Sequence, residues 1–188
     1  NIRTKAAQGG IVSVSGTGIV RNTILRGNGG TSQTAGFKVT GGGVEHCTVY
    51  GNNATATTGL SGLNQTGGTV VNCLIAENYN TSTGGMVRAD IAVAKNSSKS
   101  GYSTTCASPL ELMPADAGNV SSVPGPVYRY SKRLGECRLT QGSPCAGAGT
   151  WQTWMADAPD FYGRAWNPDR VDIGAAVYDC KGLLLMVK

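Results

Sequence analysis

A chain of 188 residues with 28 glycines, 14% charged and 6% aromatic residues is too glycine-rich and too sparing in charge to be a helical protein, and its length accommodates one domain. Sixteen Lys and Arg against 11 Asp and Glu leave a net charge of +5, which favours acidic partners; no reading module or basic–aromatic stripe accompanies that charge, so nucleic acid is not an expected partner. No apolar run approaches the roughly 20 residues that a membrane-spanning helix needs, so no transmembrane segment is expected.

The chain opens at Asn1 with neither an initiator methionine nor a basic-then-apolar leader and runs at once into repeat-like sequence, so additional N-terminal coils of a longer parent chain are expected. Gly18-Ile19-Val20-Arg21-Asn22-Thr23-Ile24-Leu25-Arg26-Gly27-Asn28, Gly43-Val44-Glu45-His46-Cys47-Thr48-Val49-Tyr50-Gly51-Asn52 and Thr69-Val70-Val71-Asn72-Cys73-Leu74-Ile75-Ala76-Glu77-Asn78 are variants of one theme. The spacing is 24 residues from Thr23 to Cys47 and 26 from Cys47 to Cys73. A period of this length means stacked units, none of which buries its apolar side alone. Before each segment lies a second glycine-bounded alternating run: Gly10–Gly16, Gly36–Gly42 and Gly59–Gly68. Short period-2 runs closed by Gly, Asn, Ser and Thr predict strands and turns. Leucine-rich repeats share the period, but leucine is scarce here and no helical pattern follows the strand. The expected fold is therefore all-β, a right-handed parallel β-helix with coils of about 25 residues, and Ile19/Val44/Val70 and Ile24/Val49/Ile75 are its expected inward ladders.

Cys47 and Cys73 share a ladder position, where strand stacking of about 4.8 Å allows either a disulfide or a column of buried free thiols. His46, the single histidine, aligns with Asn22 and Asn72 and reads as a member of a polar turn ladder. A catalytic role would need a nucleophile or carboxylate beside it, and Glu45, its neighbour in sequence, points to the opposite face. Gly16-Thr17-Gly18 lacks a third glycine and a following helix, so it is a turn rather than a dinucleotide site. Without Cys-x-x-Cys or further histidines, no metal or other cofactor is expected.

Repetition fades after Ala94, and residues 101–188 read as an irregular C-terminal capping region continuous with the coils of 1–100. Cys106, Cys137, Cys145 and Cys180 fall there, where cross-links would help a loop-rich region of an exported protein. The terminal Gly182-Leu183-Leu184-Leu185-Met186-Val187-Lys188 reads as a last strand. Gly118-Asn119-Val120-Ser121, Tyr128-Arg129-Tyr130, Cys137-Arg138-Leu139-Thr140-Gln141-Gly142-Ser143-Pro144-Cys145-Ala146-Gly147-Ala148-Gly149, Asp160-Phe161-Tyr162-Gly163-Arg164 and Val171-Asp172-Ile173-Gly174-Ala175 together resemble the C-terminal region of bacterial choice-of-anchor Q domain proteins. That family departs from this chain at Ala146, where it often has Asp, and at Ala165-Trp166. The resemblance implies a pectate-lyase-like right-handed parallel β-helix in an exported, surface-attached bacterial protein. It brings no catalytic motif with it.

Activity must therefore be sought in the residues. A lyase acting on uronates needs clustered acids for calcium and a basic residue as proton acceptor, and a glycosidase needs two carboxylates about 5 to 10 Å apart. Glu45, Glu77 and Asp90 are scattered over the repeats and form no acidic ladder. Asp157, Asp160, Asp169 and Asp172 lie beside Arg164 and Arg170, but in turn contexts where Asp caps backbone N–H groups, and Asp172 has Arg164 as a candidate ion-pair partner. Trp151, Trp154, Tyr162 and Trp166 are candidates either to stack on sugars or to plug the end of the solenoid. Arg129, Lys132, Arg133 and Arg138 form a basic cluster suited to acidic glycans, and Arg129 and Arg133 join the four aromatics as candidate glycan-binding residues. The reading is a non-catalytic structural or adhesive module of a secreted or cell-surface bacterial protein, with a polysaccharide or cell-surface glycan as partner. The alternative is a polysaccharide lyase or glycoside hydrolase whose site lies partly outside this sequence.

Overall fold

The computed structural model describes residues 12–30, 35–56, 61–82, 84–93, 101–122, 128–131, 136–140 and 142–177. The first repeat contributes β1 (Val12–Val14), β2 (Ile19–Arg21), β3 (Ile24–Arg26) and β4 (Gly29–Gly30). The second contributes β5 (Phe37–Glu45), β6 (Thr48–Tyr50) and β7 (Asn53–Ala54), and the third β8 (Leu63–Val71), β9 (Leu74–Ala76) and β10 (Tyr79–Asn80). After them come β11 (Val87–Arg88), β12 (Ile91–Val93), β13 (Tyr102–Ser103), β14 (Cys106–Ala107) and β15 (Val120–Ser121). An antiparallel ribbon, β16 (Tyr128–Ser131) with β17 (Glu136–Leu139), forms a separate two-stranded sheet.

The protein is all-β, and each repeat supplies a strand to each of three sheets. The first sheet runs β1-β5-β8-β12 with β2 beside β5 and β13 beside β8, the second β15-β14-β9-β6-β3, and the third β11-β10-β7-β4. Every pairing in these sheets is parallel except β10 with β11. β13, β14 and β15 extend the first two sheets past residue 100.

Register explains which residues fill the core. Val20, Val44, Val70 and Tyr102 lie in one row, and Leu25, Val49 and Ile75 in another. The expected rows beginning at Ile19 and Ile24 are thus corrected by one position in the first repeat: Ile19 pairs with Gly43 and is 49% exposed, and Ile24 pairs with Thr48. Side chains alternate faces along a strand, so a slip of one residue turns a row from core to surface. The glycines also behave differently from punctuation: β5 runs through Gly41–Gly43 and β8 through Gly67 and Gly68 as nine-residue strands, and their mutual pairing shifts register there.

A buried amide ladder ties the repeats together. The Asn52 Oδ1 accepts from Asn28 N–H and Nδ2–H (2.9 and 3.0 Å), the Asn78 Oδ1 accepts from Asn52 N–H and Nδ2–H (3.1 and 2.9 Å), and the Asp90 Oδ1 accepts from Asn78 N–H and Nδ2–H (2.9 and 3.0 Å). Asp90 Oδ2 takes the Ser122 hydroxyl (3.2 Å). Satisfied in this way, polar groups fix register where apolar ones tolerate slippage.

A second column holds Thr23, Cys47, Cys73 and Thr105. Each side chain donates to the carbonyl two residues earlier: Thr23 to Arg21 (2.9 Å), Cys47 to Glu45 (3.3 Å), Cys73 to Val71 (3.2 Å) and Thr105 to Ser103 (3.0 Å). Cys47, Cys73 and Thr105 also reach a carbonyl one repeat back, on Val20, Val44 and Val70. The thiols are free and act as threonine surrogates, and Cys106 and Cys145 are free and buried as well. Cys180 and the side chain of Cys137 lie outside the described residues, as does the expected last strand at 182–188.

Candidate functional site

The second sheet buries both its faces. Leu25, Val49, Ile75 and Ala107 face the core between the sheets, while Ile24, Tyr50, Leu74, Ala76, Cys106 and Val120 pack under Leu139, Cys145, Ala146, Ala148 and Ile173. The covering residues belong to the C-terminal segment, whose described part runs as a strap along the flank of the stack, across all three repeats.

The strap docks on a column of turns. Asn22, His46, Asn72 and Thr104 occupy equivalent corners, all in the left-handed region with φ of 51, 47, 52 and 42°. Asparagine tolerates that conformation better than other non-glycine residues, which accounts for two of the four. At these corners the side chains turn outward to meet the strap. Asn22 Nδ2 donates to Pro159 O (2.9 Å), Asn72 Nδ2 donates to Thr150 O (2.7 Å), and Thr150 N–H donates to Asn72 Oδ1 (2.9 Å). Gly174 N–H adds a bond to Asn72 O (2.9 Å), and Ala175 N–H one to the Thr48 hydroxyl (3.0 Å).

His46 sits at the middle corner, fully buried. Its ring lies 5.4 Å from Trp154 and 4.9 Å from Trp166, both edge-to-face, and the two indoles are 6.3 Å apart. Nε2 lies 2.6 Å from Asn72 Nδ2. Burial pushes the imidazole down to about 4 from its ordinary 6.5, while the backbone groups of Gly174 and Thr150 pull it the other way. Above the indole of Trp154 stands the Arg21 guanidinium, 5.5 Å from the ring centre and 2.6 Å from the Glu45 carboxylate. The Nδ1 of His46, the indole N–H groups of Trp154 and Trp166 and the Oδ1 of Asn22 are buried without a hydrogen-bond partner among the described residues, an arrangement whose cost marks this corner out.

Of the expected site residues, Trp154 and Trp166 are brought together at His46, on the flank of the stack, and Trp151 packs with Met155 and Val171 in the same apolar cluster. Trp166 is 6% exposed and presents no ring face to solvent. Tyr162 lies elsewhere on the strap, edge-to-face with the exposed Phe161 at 5.2 Å and beneath the Arg164 guanidinium at 5.4 Å. Arg133 and the side chain of Arg129 fall outside the described residues.

The carboxylates are engaged in holding structure. Asp160 takes the N–H groups of Tyr162 (2.8 Å), Arg164 (2.7 Å) and Val177 (2.9 Å) and lies 3.7 Å from the Arg164 guanidinium. Asp172 takes the Gly147 N–H (2.7 Å), and Glu77 the Tyr50 hydroxyl (2.8 Å). Among the described residues no three His, Cys, Asp or Glu side chains gather as a metal site would require, and no helix is long and apolar enough to cross a membrane.

The docking of the strap on His46 escapes sequence reasoning because its partners lie more than a hundred residues apart in irregular chain. The alignment of His46 with two asparagines was the available signal. No family model, curated protein or solved structure matches the chain.

Proposed function

We propose that this chain is a right-handed parallel β-helix of the pectate-lyase-like kind, and that it serves as a non-catalytic structural or adhesive module of an exported, surface-attached bacterial protein, similar to the choice-of-anchor Q domain proteins. Parallel pairing of each strand with its counterpart one repeat away, in three sheets, supports the β-helix. The observation that carries the non-catalytic reading is the use of the acids: Glu45, Glu77, Asp90, Asp160 and Asp172 each hold an arginine, a hydroxyl or backbone and amide N–H groups, so these five carboxylates are spent on structure rather than poised in pairs for acid–base work on a sugar. Polysaccharide or cell-surface glycan is the proposed partner. The half-buried Tyr162 beside exposed Phe161 and the cationic Arg164 offers the aromatic-plus-cation chemistry that acidic sugars use.

Incubation with neutral and acidic polysaccharides, read by retention on the polymer and by mass spectrometry of new oligosaccharide ends, tests this. Retention without cleavage is expected. New ends would replace the module with a carbohydrate-active enzyme, and absence of both signals would remove the glycan and leave a spacer.

A further inference from the structure

We propose that His46 is a pH-operated latch: the neutral imidazole holds the strap against the turn column, and its protonation releases the strap while the parallel sheets stay folded. The amide orientation of Asn72 is dictated by backbone groups that cannot exchange roles. Thr150 N–H donates to Oδ1 and Thr150 O accepts from Nδ2. The Thr104 hydroxyl also donates to Oδ1, at 2.6 Å. Nδ2 therefore presents a hydrogen to His46 Nε2 at 2.6 Å, so Nε2 is the accepting nitrogen and the ring proton resides on Nδ1.

A proton on Nε2 would set two donors against each other at hydrogen-bond distance. Relief requires either that Asn72 let go of Thr150 or that the imidazole leave the space beside Trp154 and Trp166, and either movement undoes strap docking. The backbone groups of Gly174 and Thr150 favour the charged ring, but by less than burial disfavours it, and the charged groups around the ring do not offset this either. Arg21 and Glu45 on the adjoining strands pair with each other, and on the strap Asp160 is occupied by Arg164 and three backbone N–H groups and Asp172 by Gly147. Asp157, Asp169 and Arg170 are exposed. The pairings inside the sheets involve none of these bonds, so the stack can outlast the latch. Burial, which holds the imidazole at about 4 rather than 6.5, implies that docking weakens about 300-fold across that interval.

The chain carries its own reporters: one histidine, and three tryptophans that all lie on the strap at 151, 154 and 166. On the full chain, tryptophan emission should shift to the red and become more quenchable as pH falls from 6.5 to 4, with the far-UV β signal retained. His46→Asn, which installs the residue found at the equivalent corners 22 and 72, should abolish that transition. An unchanged transition in His46→Asn, emission that stays flat to pH 4, or sheet signal lost together with emission would each overturn the latch. Should His46→Asn not fold, nitrogen-resolved NMR of the single histidine in the natural chain decides the matter. A neutral ring protonated on Nδ1 and titrating together with the emission is expected; an Nε2 proton, or titration at 6.5, would refute it.

Discussion

The amide ladder makes a quantitative prediction, because its members have unequal shares of it. Asn78 is fully buried and its side chain is bonded throughout: the two Nδ2 hydrogens are shared among Val49 O (3.0 Å), Ala76 O (3.1 Å) and Asp90 Oδ1 (3.0 Å), and Oδ1 accepts from Asn52 N–H and Nδ2–H. Asn28, at the edge of the described ladder, is half-buried, and its side chain donates to Asn52 Oδ1. Asn78→Ala leaves the buried Asn52 N–H unpaired, at about 1–3 kcal/mol, and removes net contributions of about 1 kcal/mol each from the better of its remaining bonds. The total is about 4 kcal/mol, at the upper end for one substitution. Asn28→Ala forfeits one part-exposed bond, about 1 kcal/mol.

Urea unfolding followed by far-UV circular dichroism reads the difference directly, provided the m-values of the two variants agree. Equal destabilisation by the two changes, or a cost under about 1 kcal/mol for Asn78→Ala, would mean that the ladder sets register without contributing to stability, and the reasoning would fail. Asn52→Asp sharpens the test. It replaces the Nδ2–H that binds Asn78 Oδ1 and Leu25 O by an oxygen, turning attraction into repulsion at nearly constant volume, and it should cost at least as much as Asn78→Ala.

Two glycines separate steric from conformational cost. A Cβ at Gly62 would collide with the Asp90 carbonyl, whereas one at Gly51 meets nothing within 4 Å and suffers only the left-handed φ of +63°; Gly62→Ala should prevent folding or cost over about 3 kcal/mol, and Gly51→Ala about 1 kcal/mol, in the same urea assay. Cys73→Thr should stay within about 1 kcal/mol of the natural chain, since a hydroxyl can donate to the Val71 and Val44 carbonyls as the thiol does, while Cys73→Val, equally sized but without a donor, should lose more. Burial pushes the Cys73 thiol well above its ordinary value, so site-resolved alkylation at pH 8 should leave it unmodified until the chain unfolds. His46 has a folded value of about 4, below its unfolded 6.5, so the stability it confers is complete above 6.5 and lost as pH falls to about 4; unfolding free energies from urea titrations read by tryptophan emission should decline over that window by up to about 3 kcal/mol in the natural chain and remain level in His46→Asn.

Much of the fold is legible because ladder positions demand particular residue chemistry. Asn28, Asn52 and Asn78 recur since each donates its backbone and amide N–H to the side-chain oxygen of the next ladder member, and Thr23, Cys47 and Cys73 recur since each must reach a carbonyl two residues back. Apolar residues carry no such demand. Ile19 and Val20 are interchangeable as letters, and only the 24-residue offset seen in the Arg21–Glu45 bond reveals that Val20 faces inward. The third sheet is harder still to foresee: apart from Tyr79, the residues of Gly29–Gly30, Asn53–Ala54 and Tyr79–Asn80 have little strand propensity and are extended because the neighbouring repeats offer them backbone partners. The strap, held by Asn22, His46 and Asn72, contains no periodic element from which its path could be foreseen, and so its tryptophans read as sugar-stacking residues or an end plug, whereas Trp154 and Trp166 meet at His46 on the flank.

The turn column and the strap account for each other. A non-glycine residue in the left-handed region costs about 1–2 kcal/mol, and a β-branched one such as Thr104 is strained further. Such strain persists only where the surroundings over-determine it. At Thr104 they do: its hydroxyl bonds Asn72 Oδ1 at 2.6 Å and lies 3.0 Å from the Thr150 hydroxyl, while its N–H donates to Ala117 O at 2.7 Å. The corners therefore hold their conformation partly because the strap rewards it, and the strap, which has no sheet of its own among residues 142–177, holds its path because the corners present donors and acceptors at each repeat. His46 differs from the other corner residues in one respect that matters chemically, since an imidazole can gain a proton where an amide or a hydroxyl cannot. Placing the single titratable member of the column between two indoles, opposite an amide locked by Thr150, concentrates the pH sensitivity of strap docking at one residue.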